Sequence, residues 1–445
     1  MAFDYLSYLK EPRWLNVRLG LERIQGLLKL LGRPQDRLRF VHVAGTNGKG
    51  SVCAYTSSIL QKAGYKVGML TSPYIERLEE QMQINGECID GRDLSEVTLK
   101  IKEAADAMPE HPTEFELICA ASLLWFAQNN CDIVVLEVGL GGRLDATNVI
   151  ESPEVCVITR MGLDHTDYLG STIEAIAEEK AGIIKEGSTV VTCSQTKEVL
   201  SVLRSVAAQR HATLKVCEDE QIVPCDFQLN RGQCSSNGQA LPMRTFSYGG
   251  TSFETALLAS YQPYNAALAI EAAYALRDKG WSITDRALKE GIAVARWPGR
   301  FEVVGKNPLT IVDGGHNSQG AQVLVSTLND VLPGEKCVFV MGVLADKDYV
   351  SMVDTVAPMS DTFVVSTPDN PRALEAKTLA NVIVKAWDTL GCSEGKRVVC
   401  TSSGVQALTT AREIAGKQGV VCAFGSLYAL KDYREAMRQY EGATD

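Results

Sequence analysis

The residues best suited to chemistry lie in one short stretch, Val41–Ser51, with the sequence VHVAGTNGKGS. Its apolar start predicts a buried strand, and three glycines between Gly45 and Gly50 predict a turn in front of a helix. Because glycines let backbone N–H groups converge and a helix N-terminus adds positive potential, the stretch predicts an anion site. Lys49 is placed to reach the outer phosphates of a nucleotide, and the Ser51 hydroxyl to bind Mg²⁺.

The spacing of this stretch is a variant of the common phosphate-loop pattern G-x-x-x-x-G-K-[ST]. Val43 stands where that pattern has glycine, and Gly50 separates Lys49 from Ser51. We therefore predict a nucleotide phosphate loop of a variant kind around Lys49.

A glutamate stands at the end of a second candidate for a buried strand, Ile133 to Leu136, which runs directly into Glu137. In open α/β sheets, ligands bind at the carboxyl ends of the strands. Glu137 is therefore the expected Mg²⁺ ligand beside the phosphate loop, with a structural salt bridge as the alternative. The polar, glycine-rich loop Leu140–Asn148 follows the same strand, and this position predicts contact with a substrate.

Two more candidates follow the predicted strand Val155 to Thr159. A lone histidine is more often structural than a ligand, but His165 is expected at the same sheet edge as Glu137, which favours ligation. Lys180 lies near the end of a predicted helix, 171–181, where most lysines are solvated surface charges.

The second half of the chain repeats the pattern of polar residues after strands. Asp313 to Asn317 (DGGHN) follows a predicted strand at 309–312, Gly342 to Asp348 follows the next strand, and Phe424 to Tyr428 follows the last. These three loops predict a second ligand-binding edge.

The elements that must position these residues alternate between apolar strands and helices, which predicts an α/β fold. We expect a phosphate-loop-type domain with a mostly parallel sheet at 1–297, and a smaller, Rossmann-like α/β domain at 298–445. A small antiparallel insertion is expected at about 212–258, with turns at Ser236-Asn237-Gly238 and Tyr248-Gly249-Gly250. A hairpin is expected around Asn85-Gly86, and a hinge at Trp297 to Arg300.

Net charge, cysteine spacing and the distribution of apolar residues limit the classes of function and the cell compartment that fit this sequence. The 445 residues carry a net charge of −10, which disfavours nucleic acid and anionic membranes as partners. The 13 cysteines form no C-x-x-C pair, which indicates reduced thiols and a cytoplasmic location. We find neither a signal peptide nor an apolar run of about 20 residues, so we expect a soluble protein.

Nine motifs occur in one order along nearly the whole chain: GTNGKGS, TSPYI, TEFEL, LEVGLGGRLDATN, GLDHTDYLG, EKAGIIK, RWPGRFE, DGGHN and FGSLY. Together they resemble the folylpolyglutamate synthases and dihydrofolate synthases of bacteria, which form part of the Mur-ligase superfamily.

The resemblance implies roles for particular residues. ATP phosphates would be held by Asn47, Gly48, Lys49, Gly50 and Ser51, and the nucleotide contacted by Asn265, Arg300 and Asp313. Mg²⁺ ligands would be Ser51, Ser72, Glu137 and His165. Lys180 would match the lysine that the family carbamylates. The pteridine side of the substrate would be lined by Phe115, Glu116, Gly142, Arg143, Leu144 and Asp145. His316 and Ser426 would face glutamate or the nucleotide, and His316 would join Lys49, His165 and Lys180 in the catalytic set.

The resemblance also implies a reaction. A monomeric, ATP-dependent ligase would add L-glutamate to the γ-carboxylate of tetrahydrofolate through an acyl phosphate, releasing ADP and phosphate. It would use Mg²⁺, carbamylated Lys180 and a monovalent cation. Dihydropteroate is the alternative acceptor, which would give dihydrofolate synthase activity as well.

Two other functions fit parts of the sequence. One is another Mur-type amino-acid ligase, but only 44 residues precede Gly45, too few for an added sugar-nucleotide domain. The other is a regulatory phosphate-loop NTPase, for which Asp167-Tyr168-Leu169-Gly170 matches a switch-like D-x-x-G. No N-K-x-D motif accompanies it.

Overall fold

The computed structural model describes residues 4–11, 18–225, 227, 229 and 242–442. The chain divides into two compact units. The first comprises Met1–Val223, Phe246–Glu254 and Pro263–Ala295, and the second comprises Pro224–Thr245, Thr255–Gln262 and Arg296–Asp445. The second unit therefore includes segments from the region where an insertion into the first was expected.

An eight-stranded sheet forms the centre of the first unit. Its strands are β1 (Phe40–Ala44), β2 (Val67–Leu70), β3 (Met82–Ile84), β4 (Glu87–Cys88), β5 (Ile133–Glu137), β6 (Val155–Ile158), β7 (Thr189–Cys193) and β8 (Thr213–Cys217). They lie in the order β4-β3-β2-β5-β1-β6-β7-β8. Neighbouring strands in the series β2-β5-β1-β6-β7-β8 pair in parallel, whereas β3 is antiparallel to both β2 and β4. The predicted mostly parallel sheet is thus confirmed.

The helices of this unit cover the sheet. They are α1 (Tyr5–Leu9), α2 (Glu22–Leu30), α3 (Lys49–Lys62), α4 (Gly91–Asp106), α5 (Glu114–Gln128), α6 (Thr166–Leu169), α7 (Ile173–Ala181), α8 (Lys197–Gln209), α9 (Gln262–Asp278) and α10 (Asp285–Val294). The central strands β1, β5 and β6 are buried at every residue. Parallel strands covered on both faces read as continuous apolar runs, and this is why the sequence predicted them.

Two short turns connect strands as the sequence predicted. Asn85 and Gly86 join β3 to β4, both with positive φ, and Gly249 and Gly250 do the same between β10 (Arg244–Tyr248) and β11 (Thr251–Thr255). Positive φ at both central residues is what a type I′ hairpin requires. A third strand, β9 (Ile222–Pro224), completes a small sheet in the order β11-β10-β9. The turn predicted at 236–238 lies outside the described residues.

The start of the expected insertion differs from the structure. We expected antiparallel hairpins from about residue 212, but Thr213–Cys217 is β8, which pairs in parallel with β7 as the last strand of the large sheet. Its burial explains the difference, because only Cys217 is fully buried and the strand lacks the long apolar run of the central strands.

The second unit contains a six-stranded sheet. Its strands are β12 (Glu302–Lys306), β13 (Leu309–Val312), β14 (Cys337–Met341), β15 (Thr362–Val365), β16 (Arg397–Cys400) and β17 (Val420–Phe424), in the order β12-β13-β17-β14-β15-β16. Only β12, which pairs with β13, is antiparallel to its neighbour. The helices are α11 (Ser318–Val331), α12 (Tyr349–Val356), α13 (Ala376–Thr389), α14 (Gly404–Ala415) and α15 (Leu430–Gly442). This confirms the second α/β domain.

No helix within the described ranges is both long enough and apolar enough to cross a membrane.

We expect His42, in the middle of β1, to make the stability of the first unit depend on pH. Burial, with a smaller contribution from the charge of Lys185, lowers the pKa of His42 to about 3. The unfolded chain binds this proton near pH 6.5, so we expect His42 to reduce stability as the pH falls from about 6.5 towards 3, by about 1.4 kcal/mol per pH unit. Urea unfolding at several pH values would measure this slope. A His42→Gln variant should lack it, and parallel curves for the two proteins between pH 6 and 4 would contradict the prediction.

Candidate active site

Two glycines shape the loop between β1 and α3. Gly45 has φ 145°, and a Cβ there would lie 1.8 Å from the Thr159 Oγ1 atom. Gly48 caps the N-terminus of α3 with φ 94°, and a Cβ there would lie 2.5 Å from the Asn265 Oδ1 atom. Neither position accepts another residue without movement of its neighbour. The second contact also brings Asn265, a predicted nucleotide residue, against the loop.

Hydrogen bonds join the same loop to the segment after β6. The backbone N–H groups of Thr46 and Asn47 both donate to the Arg160 carbonyl oxygen at 3.2 Å. The Thr46 hydroxyl donates to the Gly162 carbonyl at 3.0 Å and accepts from the Gly162 N–H at 3.1 Å. Thr46 was not among the predicted site residues, although a hydroxyl residue inside a glycine-rich loop is a usable signal.

The first turn of α3 is suited to an anion. The first N–H groups of any α-helix have no partner within the helix, and the helix dipole gives this end positive potential. The first turn of α3 carries no acidic residue, and it begins with Lys49 and Gly50. The Ser51 side chain, predicted to hold Mg²⁺, lies in this turn and is buried.

Three loops meet at this edge because β2, β5 and β1 are neighbours that run in parallel. Glu137 ends β5 and is 4% exposed, and its Oε1 atom lies 4.0 Å from the Lys49 Nζ atom. The backbone N–H of Ser72, which follows β2, donates to Glu137 Oε2 at 3.3 Å. The structure therefore brings Lys49, Ser72 and Glu137 together, as the sequence predicted.

His165 lies in the loop after β6, the other neighbour of β1. It has φ 52° and caps the N-terminus of α6, and its side chain is half exposed, with Nε2 3.9 Å from Asp164 Oδ2. Its place at the edge follows the prediction, while its role as a metal ligand stays a prediction. Asp167 to Gly170, the switch-like motif, forms α6 and its C-cap.

The residues present fit a magnesium ion that arrives with a nucleotide. In the described part of the chain, no group of three or more His, Cys, Asp or Glu side chains is arranged to hold a metal ion. Mg²⁺ seldom uses such a cage and is usually bound through one or two carboxylates together with substrate phosphates. The buried Glu137 carboxylate, close to the phosphate-loop lysine, provides a ligand of this kind.

Lys180 is buried near the end of α7, with 5% of its surface exposed. The reading of this residue as a solvated surface charge, which the sequence favoured, is therefore wrong. Burial, and then the charge of Lys49, lower the pKa of Lys180 to about 7, while Asp164 and Asp145 act in the opposite direction. Asp164 was not among the predicted site residues, and its only signal is its place beside His165 in GLDHTD.

The loop after β5 packs directly on the end of α7. A Cβ at Gly142 would lie 2.8 Å from the Glu179 carbonyl oxygen and 3.1 Å from the Lys180 Cα atom. The Arg143 N–H donates to the Glu179 carbonyl at 2.8 Å, and the exposed Arg143 guanidinium pairs with the Glu179 carboxylate at 2.7 Å. Leu144, next in the loop, is half-buried. The glycine-rich sequence thus allows the loop to lie against Lys180.

Two predicted substrate residues sit at the start of α5. Phe115 contacts this loop, since a Cβ at Gly139 would lie 2.7 Å from its ring. Glu116 has a structural role, because its Oε2 atom accepts from the Thr113 N–H at 2.7 Å and from the Arg23 Nε at 3.1 Å, and the first of these bonds is part of a capping box. The proposed contact of Glu116 with a substrate stays a prediction.

The second unit has its own polar edge, where β13, β17 and β14 are parallel neighbours. Asp313 follows β13, is buried, and accepts from the N–H groups of Gly315 at 2.7 Å and Phe301 at 2.8 Å. Burial raises the pKa of Asp313, and the nearby charge of Arg300 counteracts this. Arg300 and Asp313, both predicted to contact the nucleotide, are thus brought together.

His316 and Ser426 lie in adjoining loops at this edge. The Gly425 N–H donates to the Gly315 carbonyl at 3.0 Å, which links the two loops. The His316 Nδ1 atom lies 2.9 Å from the Gly314 carbonyl oxygen, and the buried Ser426 hydroxyl accepts from the Tyr428 N–H at 3.2 Å. The third loop adjoins them too, because a Cβ at Gly425 would lie 2.7 Å from the Gly342 carbonyl oxygen. The three loops thus converge as predicted, whereas the two ligand roles stay predictions.

The chain matches two protein families. Residues 43–273 match the Mur ligase middle domain. Residues 299–427 match the Mur ligase, glutamate ligase domain.

Individual proteins match over nearly the whole chain. The dihydrofolate synthase/folylpolyglutamate synthase of Bacillus subtilis is 35% identical over 454 residues, which cover 98% of this chain and 100% of that protein. The folylpolyglutamate synthase of Lacticaseibacillus casei is 36% identical over 361 residues, which cover 79% of this chain and 82% of that protein. The structure of E. coli FolC in complex with DHPP and ADP superposes with a TM-score of 0.83 at 29% identity, covering 100% of this chain and 99% of that one. This chain therefore belongs to the dihydrofolate synthase/folylpolyglutamate synthase family of Mur ligases.

Proposed function

We propose that this chain is an ATP-dependent ligase that joins L-glutamate to the γ-carboxylate of tetrahydrofolate. The observation that carries the proposal is the edge where Lys49 at the N-terminus of α3 lies 4.0 Å from the buried carboxylate of Glu137. A cation, a helix N-terminus and a metal-binding carboxylate at one point suit the transfer of a phosphoryl group. Family membership supports the identity of the acceptor and of the amino acid.

The reaction has two steps. An oxygen of the substrate carboxylate attacks the γ-phosphorus of ATP, and the bond from that phosphorus to the β,γ-bridging oxygen breaks, leaving an acyl phosphate and ADP. The amine nitrogen of glutamate then attacks the acyl carbon, phosphate leaves, and the nitrogen loses a proton to form the amide. The first step is needed because a carboxylate oxygen is a poor leaving group until it is phosphorylated.

The residues at the sheet edge of the first unit offset the electrostatic repulsion of the first step, in which two anions approach each other. Lys49 offsets the charge of the outer phosphates, and the N–H groups of the first turn of α3 hold them in place. We assign the Mg²⁺ ligands to Ser51, Ser72, Glu137 and His165. When bound, Mg²⁺ supplies further positive charge at the transferring phosphate. The monovalent cation stays a prediction.

Lys180 is the residue that we propose to be carbamylated. An ammonium first loses a proton to give the neutral amine. The amine nitrogen then attacks carbon dioxide, a nitrogen–carbon bond forms as one carbon–oxygen π bond opens, and the nitrogen releases a second proton, so that a neutral amine becomes an anionic carbamate. Only the neutral amine reacts, and with a pKa of about 7 a large fraction of Lys180 is neutral at physiological pH. The buried place of Lys180 against Gly142 supports this proposal.

We assign the remaining predicted contacts unit by unit. In the first unit, Asn265 contacts the nucleotide, and Phe115, Gly142, Arg143, Leu144 and Asp145 form the pteridine side of the substrate site. In the second unit, Arg300 and Asp313 serve the nucleotide, and His316 and Ser426 serve glutamate or the nucleotide. We also propose that the protein acts in the cytoplasm as a monomer.

The acceptor distinguishes the two activities of the family. The relative from Bacillus subtilis is named for both activities, whereas that from Lacticaseibacillus casei is named for folylpolyglutamate synthesis alone. Both are about equally similar to this chain, so we propose tetrahydrofolate as the main acceptor and dihydropteroate as a second one. Purified protein assayed with the two acceptors side by side decides between one activity and both.

A stoichiometric product assay tests the proposed function. A ligase releases one ADP per amide formed, and only when ATP, glutamate and a folate are all present. ADP release that ignores glutamate and every folate would point to an NTPase and contradict the proposal.

The metal ligands lead to a separate prediction. Glu137→Gln and His165→Ala should each raise the Mg²⁺ concentration needed for half-maximal ligation by about tenfold or more, since each removes a charge or a ligand. Titration of activity with Mg²⁺ at saturating ATP measures this. The surface pair Glu186 and His211, joined at 2.6 Å, offers matched controls in Glu186→Gln and His211→Ala. Titrations that superimpose on the wild type for all four variants would show that Glu137 and His165 are structural.

A further inference from the structure

A buried chain of hydrogen bonds runs from the middle of β1 to the loop after β5. The His42 Nε2 atom lies 2.9 Å from the Thr147 Oγ1 atom, and the Thr147 hydroxyl lies 2.5 Å from Asp145 Oδ1. His42 and Thr147 are fully buried, and Asp145 is 4% exposed. The reaction steps above do not use His42 or Thr147.

The direction of these hydrogen bonds follows from the chemistry of the two groups at the ends of the series, His42 and Asp145. An ionised carboxylate only accepts hydrogen bonds, so the Thr147 hydroxyl donates to Asp145. The Thr147 oxygen is then free to accept from His42, which must carry its proton on Nε2. The His42 Nδ1 atom is buried and finds no hydrogen-bond partner among the residues that the structure describes, which suits a bare lone pair better than an N–H group.

Reversing the direction of these hydrogen bonds would be unfavourable. If Asp145 were protonated and donated to Thr147, the Thr147 hydroxyl would donate to His42 Nε2, and the imidazole proton would move to Nδ1. That would leave a buried N–H group unpaired, which costs more than an unpaired acceptor. The surroundings of His42 thus favour the ionised form of Asp145.

The other groups around Asp145 come from three further parts of the structure. Asp145 Oδ2 accepts from the Leu140 N–H at 2.8 Å, and Oδ1 accepts from the Thr147 N–H at 3.0 Å. Burial raises the pKa of Asp145, and the Thr147 hydroxyl is the first of the groups that lower it. Lys180 on α7 is a nearby cation, and α5 contributes Cys119, whose thiol pKa is raised by burial and then by the charge of Asp145.

We propose that His42 and Thr147 are positioning residues of this ligase, which keep Asp145 ionised and turned towards Leu140. They thereby fix the shape of the loop at Gly139, where a Cβ would lie 3.2 Å from Asp145 Oδ2 and 2.7 Å from the Phe115 ring. The proposal rests on the proposed function, because this loop is the pteridine side of the substrate site.

Kinetics of two variants at Thr147 test the proposal. Thr147→Val keeps the shape but removes the hydroxyl, so kcat/KM for tetrahydrofolate should fall by about tenfold or more while KM for ATP stays within about twofold. The pKa of Asp145 should rise, so the loss of activity towards low pH should begin at a higher pH than in the wild type. Thr147→Ser keeps the hydroxyl and should restore both properties. Equal changes in both KM values, or an unchanged pH profile, would overturn the proposal.

Nitrogen-15 NMR of the wild-type protein supplies a readout that does not depend on ligation. The protein has five histidines, and the signal that is missing from His42→Gln identifies His42. In the wild type this signal should be that of a neutral imidazole with its proton on Nε2 from pH 6 to 8. A proton on Nδ1, or titration in this range, would overturn the proposal even if Thr147→Val does not fold. If His42 of the wild-type protein shows the Nε2–H tautomer but the protein forms no amide with glutamate, the proposed function is contradicted instead.

Discussion

Replacing Lys49 by alanine should reduce ligation by at least about a hundredfold, the loss typical when one charged or donating group is removed from a transition state. Lys49 is the first residue of α3, and its Nζ atom lies 4.0 Å from Glu137 Oε1 and 3.4 Å from the Thr46 carbonyl oxygen. A second lysine could not take its place, because Lys180 is buried at the end of α7 and has its pKa lowered to about 7. Initial rates of ADP and amide formation at saturating substrates measure the effect.

Lys62 offers a matched control, because it lies in the last turn of the same helix and is exposed. Lys62→Ala should retain the activity and the unfolding midpoint of the wild type, while Lys49→Ala should retain only the midpoint. Retention of more than about a tenth of the turnover by Lys49→Ala, which corresponds to about 1.4 kcal/mol of barrier, would rule out the phosphate-loop assignment.

The meeting of distant residues at one sheet edge was predictable from the sequence. Glu137 ends one apolar strand, Ser72 lies just beyond a second, and Lys49 follows the loop after a third. The carboxyl ends of these parallel strands lie at one edge of the sheet. The same reasoning held for Asp313 and Ser426 in the second unit. Local pattern was sufficient in these cases because buried parallel strands are nearly continuous apolar runs, and the polar residues follow where these runs end.

Burial of single polar residues was not predictable in this way. Lys180 occupies a helical position that is usually exposed, yet it is buried, and Gly142, from a loop much earlier in the chain, packs against its backbone. The ion pair between Glu116 and Arg23 likewise joins segments far apart in sequence, whereas the capping bond of Glu116 to Thr113 follows a local spacing. Contacts between distant segments decide both cases, and neither periodicity nor spacing carries that information.

The position of the eighth strand illustrates the same limit. Thr213–Cys217 lies at the edge of the large sheet and has few buried residues, so its sequence resembles that of an exposed hairpin. Only its partner, Thr189–Cys193, determines that it runs in parallel with the rest. Edge strands are the elements in which pairing, rather than composition, sets the structure.

Lys180→Ala should be nearly inactive, and we expect a loss at least as large as that for Lys49→Ala. As an ammonium, Lys180 would be buried beside the charge of Lys49, and both effects favour the neutral amine that reacts with carbon dioxide. The resulting carbamate places a negative charge where the alanine variant has none. If the missing group is a carboxylate, then acetate or formate, which fit the space left by the side chain, should restore part of the activity to Lys180→Ala.

Carbon-13 NMR of the protein equilibrated with labelled bicarbonate detects the carbamate directly, before its labile nitrogen–carbon bond is lost. Wild-type protein should show one carbamate resonance that is missing from Lys180→Ala. Lys185 provides the matched control: burial is the main cause that lowers its pKa too, and its Nζ atom donates to the Asn148 carbonyl at 3.3 Å. Lys185→Arg should therefore keep the resonance. If the wild type shows no carbamate, or if the same resonance persists in Lys180→Ala, the amine of Lys180 is unmodified and contributes through its position and charge alone.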